Sequence, residues 1–406
     1  MPVFQYTVSD TTGNMRTGTS EAESEEILTR RLQEQGFRVT GVKKTGKAKG
    51  NVSNTYFGKV KLRDISIFCR QFSTMIDAGV SLVRSLDVLG EQTQNPKLKQ
   101  IIHEVQIEVE GGANLSKALA KYPKTFSNLF IGLIKAGEVG GVIEEALQRL
   151  STFLEKDMEL KRKIKSAMTY PVIVVIVAVS IVLGLCTFIV PKFIALFKDL
   201  GVKQLPAPTQ MLMDFSDFLK NEWYIGILII FIVYTSIRLI GKTRIGRRVI
   251  DRMKLSVPVF GPLGHKVMLA RFSRTLGTLL VSGVPILQAL ETVGDTVGNV
   301  ILSEAIMNAH ARIREGDRIN VPLQKSGRFP PMVVHMISIG EESGSLDHML
   351  AKIAEFYEGE VDAQLASLTA SIEPIMIVFL GLCVGFIVIS LFLPLIAVIA
   401  NLSGGG

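Results

Sequence analysis

One unit of this chain is written twice, in the same order. FCRQFSTMIDAGVSLVRSLDVL, starting at Phe68, returns as FSRTLGTLLVSGVPILQALETV, starting at Phe272, so that Gly79 aligns with Gly283. Further on, GEVGG from Gly137 returns as GEESG from Gly340, Tyr170-Pro171 as Glu373-Pro374, and Pro191 as Pro394. The repeating unit is roughly 130 residues long, far longer than a solenoid repeat, and each copy is a polar, helix-patterned block followed by a long apolar run. Any fold must therefore place two similar bundles next to two similar apolar segments.

Those runs have the length of membrane spans. Pro171 to Val190, PVIVVIVAVSIVLGLCTFIV, carries no charge. As a helix rising about 1.5 Å per residue it crosses about 30 Å of hydrocarbon. Ile375 to Ile399 is a second such run, and Trp223 to Ile240 a third, with Trp223 and Tyr224 suited to one interface and Arg238 able to snorkel at the other. A chain that is 48% hydrophobic and still carries a net charge of +8 fits a membrane protein with charged parts outside the bilayer. Lys156, Lys161, Arg162, Lys163 and Lys165 precede the first run, and Arg238 to Lys254 is densely basic after the second. Both flanks are predicted to face the cytoplasm, with the N-terminus cytoplasmic and the C-terminus periplasmic. The unduplicated middle span then returns the chain so that both blocks lie on one side. This is a direct repeat, unlike the inverted repeats of many secondary transporters.

The expected fold class is mostly α: an integral membrane protein with two tandem helical bundles, three transmembrane helices and a small α+β N-terminal module. The module covers 1–42, with a hairpin from FQYTV and the stretch after Gly13, a helix between Ser20 and Gly36, and a further strand in FRVTGV. A basic, Gly-rich linker follows at 43–60. The first bundle takes 61–170, the first span 171–190, an external loop 191–222, the second span 223–240 and a basic connector 241–261. The second bundle takes 262–373, the third span 374–399 and a short tail 400–406. Within the first bundle Leu62, Ile65, Phe68, Phe72, Met75 and Ile76 fall on one helical face. The long helix from Val142 to Met168 should feed straight into the first span, and its equivalent from Leu346 into the third.

No catalytic constellation is legible. The five histidines are scattered, no HExxH or paired-carboxylate pattern occurs, and Cys69, Cys186 and Cys383 have neither metal spacing nor a disulfide framework. Gly241-Lys242-Thr243 lacks the upstream glycine of a phosphate loop, whose place Ser236 takes inside a span. No enzyme activity, cofactor, metal or direct nucleic-acid contact is expected. The candidate positions are instead structural or partner-facing. Gly79 and Gly283 end a helix in each copy, where glycine takes positive φ without a Cβ clash. Gly137, Glu138 and Gly141, repeated as Gly340, Glu341 and Gly344, read either as a tight turn whose acid caps the following helix or as an acidic knob for a cytoplasmic partner. Tyr170, Pro171, Glu373 and Pro374 mark span entries, with Pro374 read as a first helical residue. Gly381 and Gly385 form a GxxxG packing face, within the chain or between protomers.

Two tandem blocks each leading into a span, GExxG in both, and YP and EP at the span entries together resemble the inner-membrane platform proteins of bacterial type IV pilus and type II secretion machines (the PilC/GspF family). The opening FQYTVSDTTGNMRTGTSEAES also resembles that family's N-terminal region. One departure is NVPL in the second block, where the first has LSKAL. The resemblance implies a multi-pass bacterial inner-membrane protein that couples a cytoplasmic hexameric ATPase, and in some systems a retraction ATPase, to insertion of pilin or pseudopilin subunits into a growing fibre. It also implies contacts with other inner-membrane components and a homo-oligomeric state. A secretion platform is the neighbouring reading. A small permease or channel is a more distant one, since no span carries a mid-span charge, and a membrane sensor is another, for which 191–222 is short as a ligand domain.

Overall fold

The computed structural model describes residues 3–9, 15–21, 29, 38–45, 58–199 and 206–403. The chain divides into two units, Met1–Lys59 and Val60–Gly406. In the first, VFQYTVS and its neighbours carry the β-branched and aromatic residues that suit a pleated sheet. Strands β1 (Val3–Ser9), β2 (Met15–Glu21) and β3 (Arg38–Thr45) form an antiparallel sheet in the order β2-β1-β3. A bulge between Thr7 and Val8 shifts the β1–β3 register. β3 runs three residues into the expected linker. The helix expected between Ser20 and Gly36 and most of the linker lie outside the described residues, as does the end of the tail, 404–406.

The second unit is helical. Block one contains α1 (Leu62–Asp77), α2 (Leu82–Gln92), α3 (Pro96–Glu110), α4 (Leu115–Ala120) and α5 (Asn128–Gly140). It also includes the first part of the 42-residue α6 (Ile143–Gly184). A five-residue π segment (Leu185–Ile189) joins α6 to α7 (Val190–Asp199). After α8 (Ala207–Asn221) come α9 (Trp223–Ile240) and α10 (Arg244–Ser256). Block two repeats the plan with α11 (Phe260–Val281), α12 (Ile286–Thr296), α13 (Val300–Arg314), α14 (Asn320–Lys325) and α15 (Pro331–Ser343). It closes on the 58-residue α16 (Leu346–Ser403). Among the described residues three helices are long and apolar enough to cross a membrane: α6 with its continuation, α9, and α16.

The repeat is visible in the caps. Asn95 and Asn299 each accept from two N–H groups of the next helix, starting α3 and α13 in the same way. Gly79 (φ +77°) and Gly283 (φ +76°) close α1 and α11 through a pair of carbonyl bonds, Val80 N to Met75 O with Gly79 N to Ile76 O, and Val284 N to Leu279 O with Gly283 N to Leu280 O.

The two bundles share a core. Phe68, Phe72, Leu86 and Leu133 of the first and Phe272, Leu290, Leu323 and Ile337 of the second belong to one continuous apolar core. Each such side chain contributes about 1.5–3 kcal/mol when fully buried. Asn128 donates to Asp295 (3.0 Å) and Arg149 to the Val281 carbonyl (2.6 Å) across the boundary. Cys69 lies in this core, donating weakly to the Leu147 carbonyl, and burial pushes its thiol far above the ordinary range, so it is an inert packing residue.

Two expectations need correction. The stretch 191–222 is not a simple loop: α8 packs between the spans, where Ser216 Oγ donates to the Cys186 carbonyl (2.6 Å) and Thr209 Oγ1 to that of Ser390. Leu212 joins Cys186, Ile387 and Leu391 in a small apolar cluster. Nor does Pro374 begin a helix. Pro171 and Pro374 both lie inside unbroken helices, α6 and α16. Each proline leaves one carbonyl a turn earlier without its N–H partner, a loss tolerable where the helix passes the bilayer surface and water or a neighbour can serve that carbonyl.

Candidate functional site

The features that recur in both copies converge on the two long helices. The corner joining α5 to α6 is made by GEVGG, and that joining α15 to α16 by GEESG. In both, the motif is the last turn of the shorter helix. Gly141 (φ +69°) and Gly344 (φ +70°) take the left-handed cap, and Val142 N and Ser345 N bond back to the Gly137 and Gly340 carbonyls. Gly137 and Gly340 are there for close approach. A Cβ on Gly137 would fall 2.5 Å from Ala146 Cβ, and one on Gly340 2.8 Å from Leu346 Cα. Only a bare backbone lets the short helix lie this tightly on the start of the long one.

The acid caps a helix, but not the following one. Glu138 accepts from the Ser116 N–H (3.2 Å) and its hydroxyl, at the start of α4. Glu341 accepts with both oxygens from the Ile319 N–H (3.1 Å), at the start of α14. The separation is 22 residues in both copies. Each carboxylate therefore sits at the positive end of the preceding short helix and satisfies a backbone donor there. The substitution of NVPL for LSKAL leaves this contact in place.

A second duplicated feature has no counterpart in the sequence-based reading. Arg70 of α1 grips Glu155 of α6 through two parallel hydrogen bonds, Nε to Oε1 at 2.6 Å and Nη2 to Oε2. Arg274 of α11 grips Glu358 of α16 in the same way, at 3.0 and 2.8 Å. These are fork-to-fork pairs with a fixed geometry. They tie the first helix of each block to the long helix that leaves it. Their sequence signal was present, since both residues of each pair fall at equivalent places in the two copies.

The hydrogen bonds from Arg70 hold the Glu155 carboxyl below its ordinary value of 4.5 against the opposing effect of desolvation. A depressed carboxylate stabilises the fold above its unfolded-state value and loses that contribution as pH falls through the folded value. The pair is about half exposed, so its worth is at most about 1 kcal/mol. Wild type should unfold at a slightly higher temperature than Glu155→Gln near neutral pH, and the gap should close as the pH is lowered below 4.5; an unchanged gap there would remove the clamp.

Beyond the blocks the two long helices lock together. Leu160 of α6 packs with Val361 and Leu365 of α16 and Leu263 of α11, and Lys163 donates to Asp362 at 2.6 Å. α9, by contrast, buries none of its side chains. Gly381 and Gly385 face open space: nothing described lies within 4 Å of where their Cβ atoms would be. The intrachain use of that GxxxG face is thus absent among the described residues. Tyr170 is about half exposed at its span entry, while Pro171 is buried. No group of His, Cys, Asp or Glu among the described residues could hold a metal.

Comparison with known proteins places this architecture. The family described as Type II secretion system (T2SS), protein F matches twice, over residues 68–191 and 272–394, and its N-terminal domain matches residues 1–43. The chain is 46% identical to a type IV pilus assembly protein PilC of Thermus thermophilus over 99% of its length and all of the relative. It is 42% identical to the PilC of Myxococcus xanthus over 97% of this chain and 94% of that one. A type II secretion system protein F of Vibrio cholerae is 32% identical over 98% of both.

Proposed function

Since this chain belongs to the type II secretion system protein F family, we propose that it is the inner-membrane platform of a type IV pilus assembly machine, with a cytoplasmic hexameric ATPase as its motor and pilin subunits as its cargo. The observation that carries the mechanical part is the pair of unbroken helices that leave the blocks and enter the membrane. At about 1.5 Å per residue, α6 is about 63 Å long and α16 about 87 Å. Each is anchored at its start by a glycine corner, along its length by an Arg–Glu clamp, and to the other by Leu160, Val361 and Leu365. A push on either block therefore moves both spans. The protein acts by transmitting motion and catalyses no reaction itself.

In this reading the blocks and both basic flanks lie in the cytoplasm and the C-terminus in the periplasm, in line with the lysines and arginines that border α6, α9 and α10. Val139, at the α5–α6 corner, is 83% exposed beside the half-buried Glu138, which makes that corner a surface for the motor. Open faces on α9 and on α16 at Gly381 and Gly385 are where second copies, pilins or other inner-membrane components would pack. A retraction ATPase would use the same levers in reverse.

The test is cross-linking in membranes followed by capture and mass spectrometry. The expected result is an ATPase linked to the blocks and pilins linked near α9 or α16. Pseudopilins in place of pilins would move the assignment to a secretion platform, and self-links alone would overturn the platform reading. The acids need a finer comparison, because each also caps a helix. Glu138→Gln with Glu341→Gln keeps an acceptor for the cap and removes the charge; it should weaken motor capture several-fold if the charge is recognised. Full capture with this pair, and loss only with Lys at both sites, would assign the acids to the fold alone.

A further inference from the structure

α10 has two opposed faces, one bolted to block two and the other packed only near Gly246, at the end of α9. With 3.6 residues per turn, Arg248, Asp251 and Leu255 share one side. Asp251 accepts from the Val300 N–H (3.0 Å), Asn299 donates to the Asp251 carbonyl (3.2 Å), and Arg248 pairs with Glu304. Burial pushes the Asp251 carboxyl up, but Lys254, the Val300 N–H and Arg247 outweigh it and hold it charged. This side is bolted to block two.

The opposite side carries Gly246, Val249, Ile250 and Met253, spaced three and four apart. Val249 and Met253, with Ile245 one turn before Val249, are half to three-quarters exposed. The same side meets the end of α9. A Cβ on Gly246 would fall 2.1 Å from the carbonyl oxygen of Ile240, the last residue of the α9 span, and one on Gly241 would meet Ile250 Cδ1 at 3.4 Å. The apolar stripe thus looks toward the end of a span that begins only a turn away. Arg247 and Arg252 border it on its two edges, and neither makes an ion pair among the described residues.

From these observations we propose that α10 lies in the plane of the membrane surface, with its apolar stripe among the outer parts of the lipid chains and Arg247 and Arg252 on anionic headgroups. An apolar face bordered by arginines is what such a surface binds. Continuity with α9 puts that surface within reach, and the charge selects an anionic one. Block two is thereby held against the bilayer at a second point besides α16. The inference rests on α9 being a span and not on the pilus assignment, so lipid contact and fibre assembly fail separately.

The chain's single tryptophan makes the test direct. On a Trp223→Phe background, Val249→Trp and, separately, Met253→Trp are placed in the full-length protein, with Lys325→Trp on the exposed end of α14 as control. Each is reconstituted into phosphatidylcholine bilayers with or without roughly 30 mol % phosphatidylglycerol, and quenching by brominated phospholipids is read. Both α10 reporters should be quenched in the anionic bilayers and the control should not. Quenching should fall in pure phosphatidylcholine, and also when Arg247 and Arg252 are changed to Gln. Two reporters guard against one variant failing to fold. Indole emission like that of the control at both positions would overturn the proposal and leave the stripe to a protein. Quenching indifferent to phosphatidylglycerol and to the two Gln substitutions would overturn its headgroup half.

Discussion

Val361→Asp should separate the two long helices and abolish fibre assembly. Val361 is 0% exposed and sits where α16 meets Leu160 of α6, with Leu263 and Leu365 completing the contact. Lys163 at this crossing already serves Asp362 and Glu159, and Lys266 already serves Glu360 beside Val361. A carboxylate introduced at 361 therefore has no free partner, and burying it costs about 3 kcal/mol or more. The helices can relieve that cost only by parting or by admitting water. Either breaks the coupling through which one block drives both spans. Val361→Ala, which leaves a small cavity, should cost about 1–2 kcal/mol and keep assembly. Thermal unfolding in detergent, protein level in membranes and fibre counts by electron microscopy read the three consequences. Normal fibres with Val361→Asp at normal protein level would sink the lever mechanism. If that variant is degraded, a short chemical cross-link between Lys163→Cys and Asp362→Cys asks the same question. Levers that move as one tolerate it, whereas levers that must slide past each other stall.

Much of this architecture was legible because its signals are local or repeated. Uncharged runs of span length admit few alternatives, and a duplicated glycine at a helix end has one economical explanation. What was missed depends on direction and distance. The acid of GExxG looked poised to cap the helix that follows it in sequence, yet helical side chains lean toward their own N-terminus. From the last turn of α5, Glu138 thus reaches back to Ser116, and Glu341 from α15 to Ile319. The stretch 191–222 looked like a loop, but proline in a first turn starts helices as readily as it ends them, and Pro208 stands in the first turn of α8. The Arg70–Glu155 and Arg274–Glu358 clamps join residues 85 and 84 apart, beyond any periodicity argument; aligning the charged residues of the two copies, and not only the glycines, exposes them. The single core shared by both blocks had no sequence signal at all, since each copy's apolar faces are satisfied equally well by a partner within the bundle or across it.

The glycine corners supply the other large effect, and its sign can be tested internally. Gly340→Val should destabilise block two by about 3 kcal/mol. Even the first atom of the new side chain meets Leu346 Cα at 2.8 Å and Met349 Cγ at 3.0 Å, so α15 must lift off the start of α16. Gly344→Ala meets no neighbour but must hold φ near +70°, which costs about 1 kcal/mol. Gly132→Ala, in the interior of α5 with open space around it and an ordinary helical backbone, should stabilise by up to about 1 kcal/mol. The three substitutions thus separate close approach, backbone handedness and helix propensity, and thermal unfolding of the full chain should rank Gly132→Ala above wild type, then Gly344→Ala, then Gly340→Val. If Gly340→Val unfolds with wild type, the corner is loose and cannot set the angle of α16. If the ranking holds, the same variants connect stability to work. A corner opened at Gly340 should reduce fibre number more than its loss of protein level explains, because the push on block two would bend the joint before it moved the span.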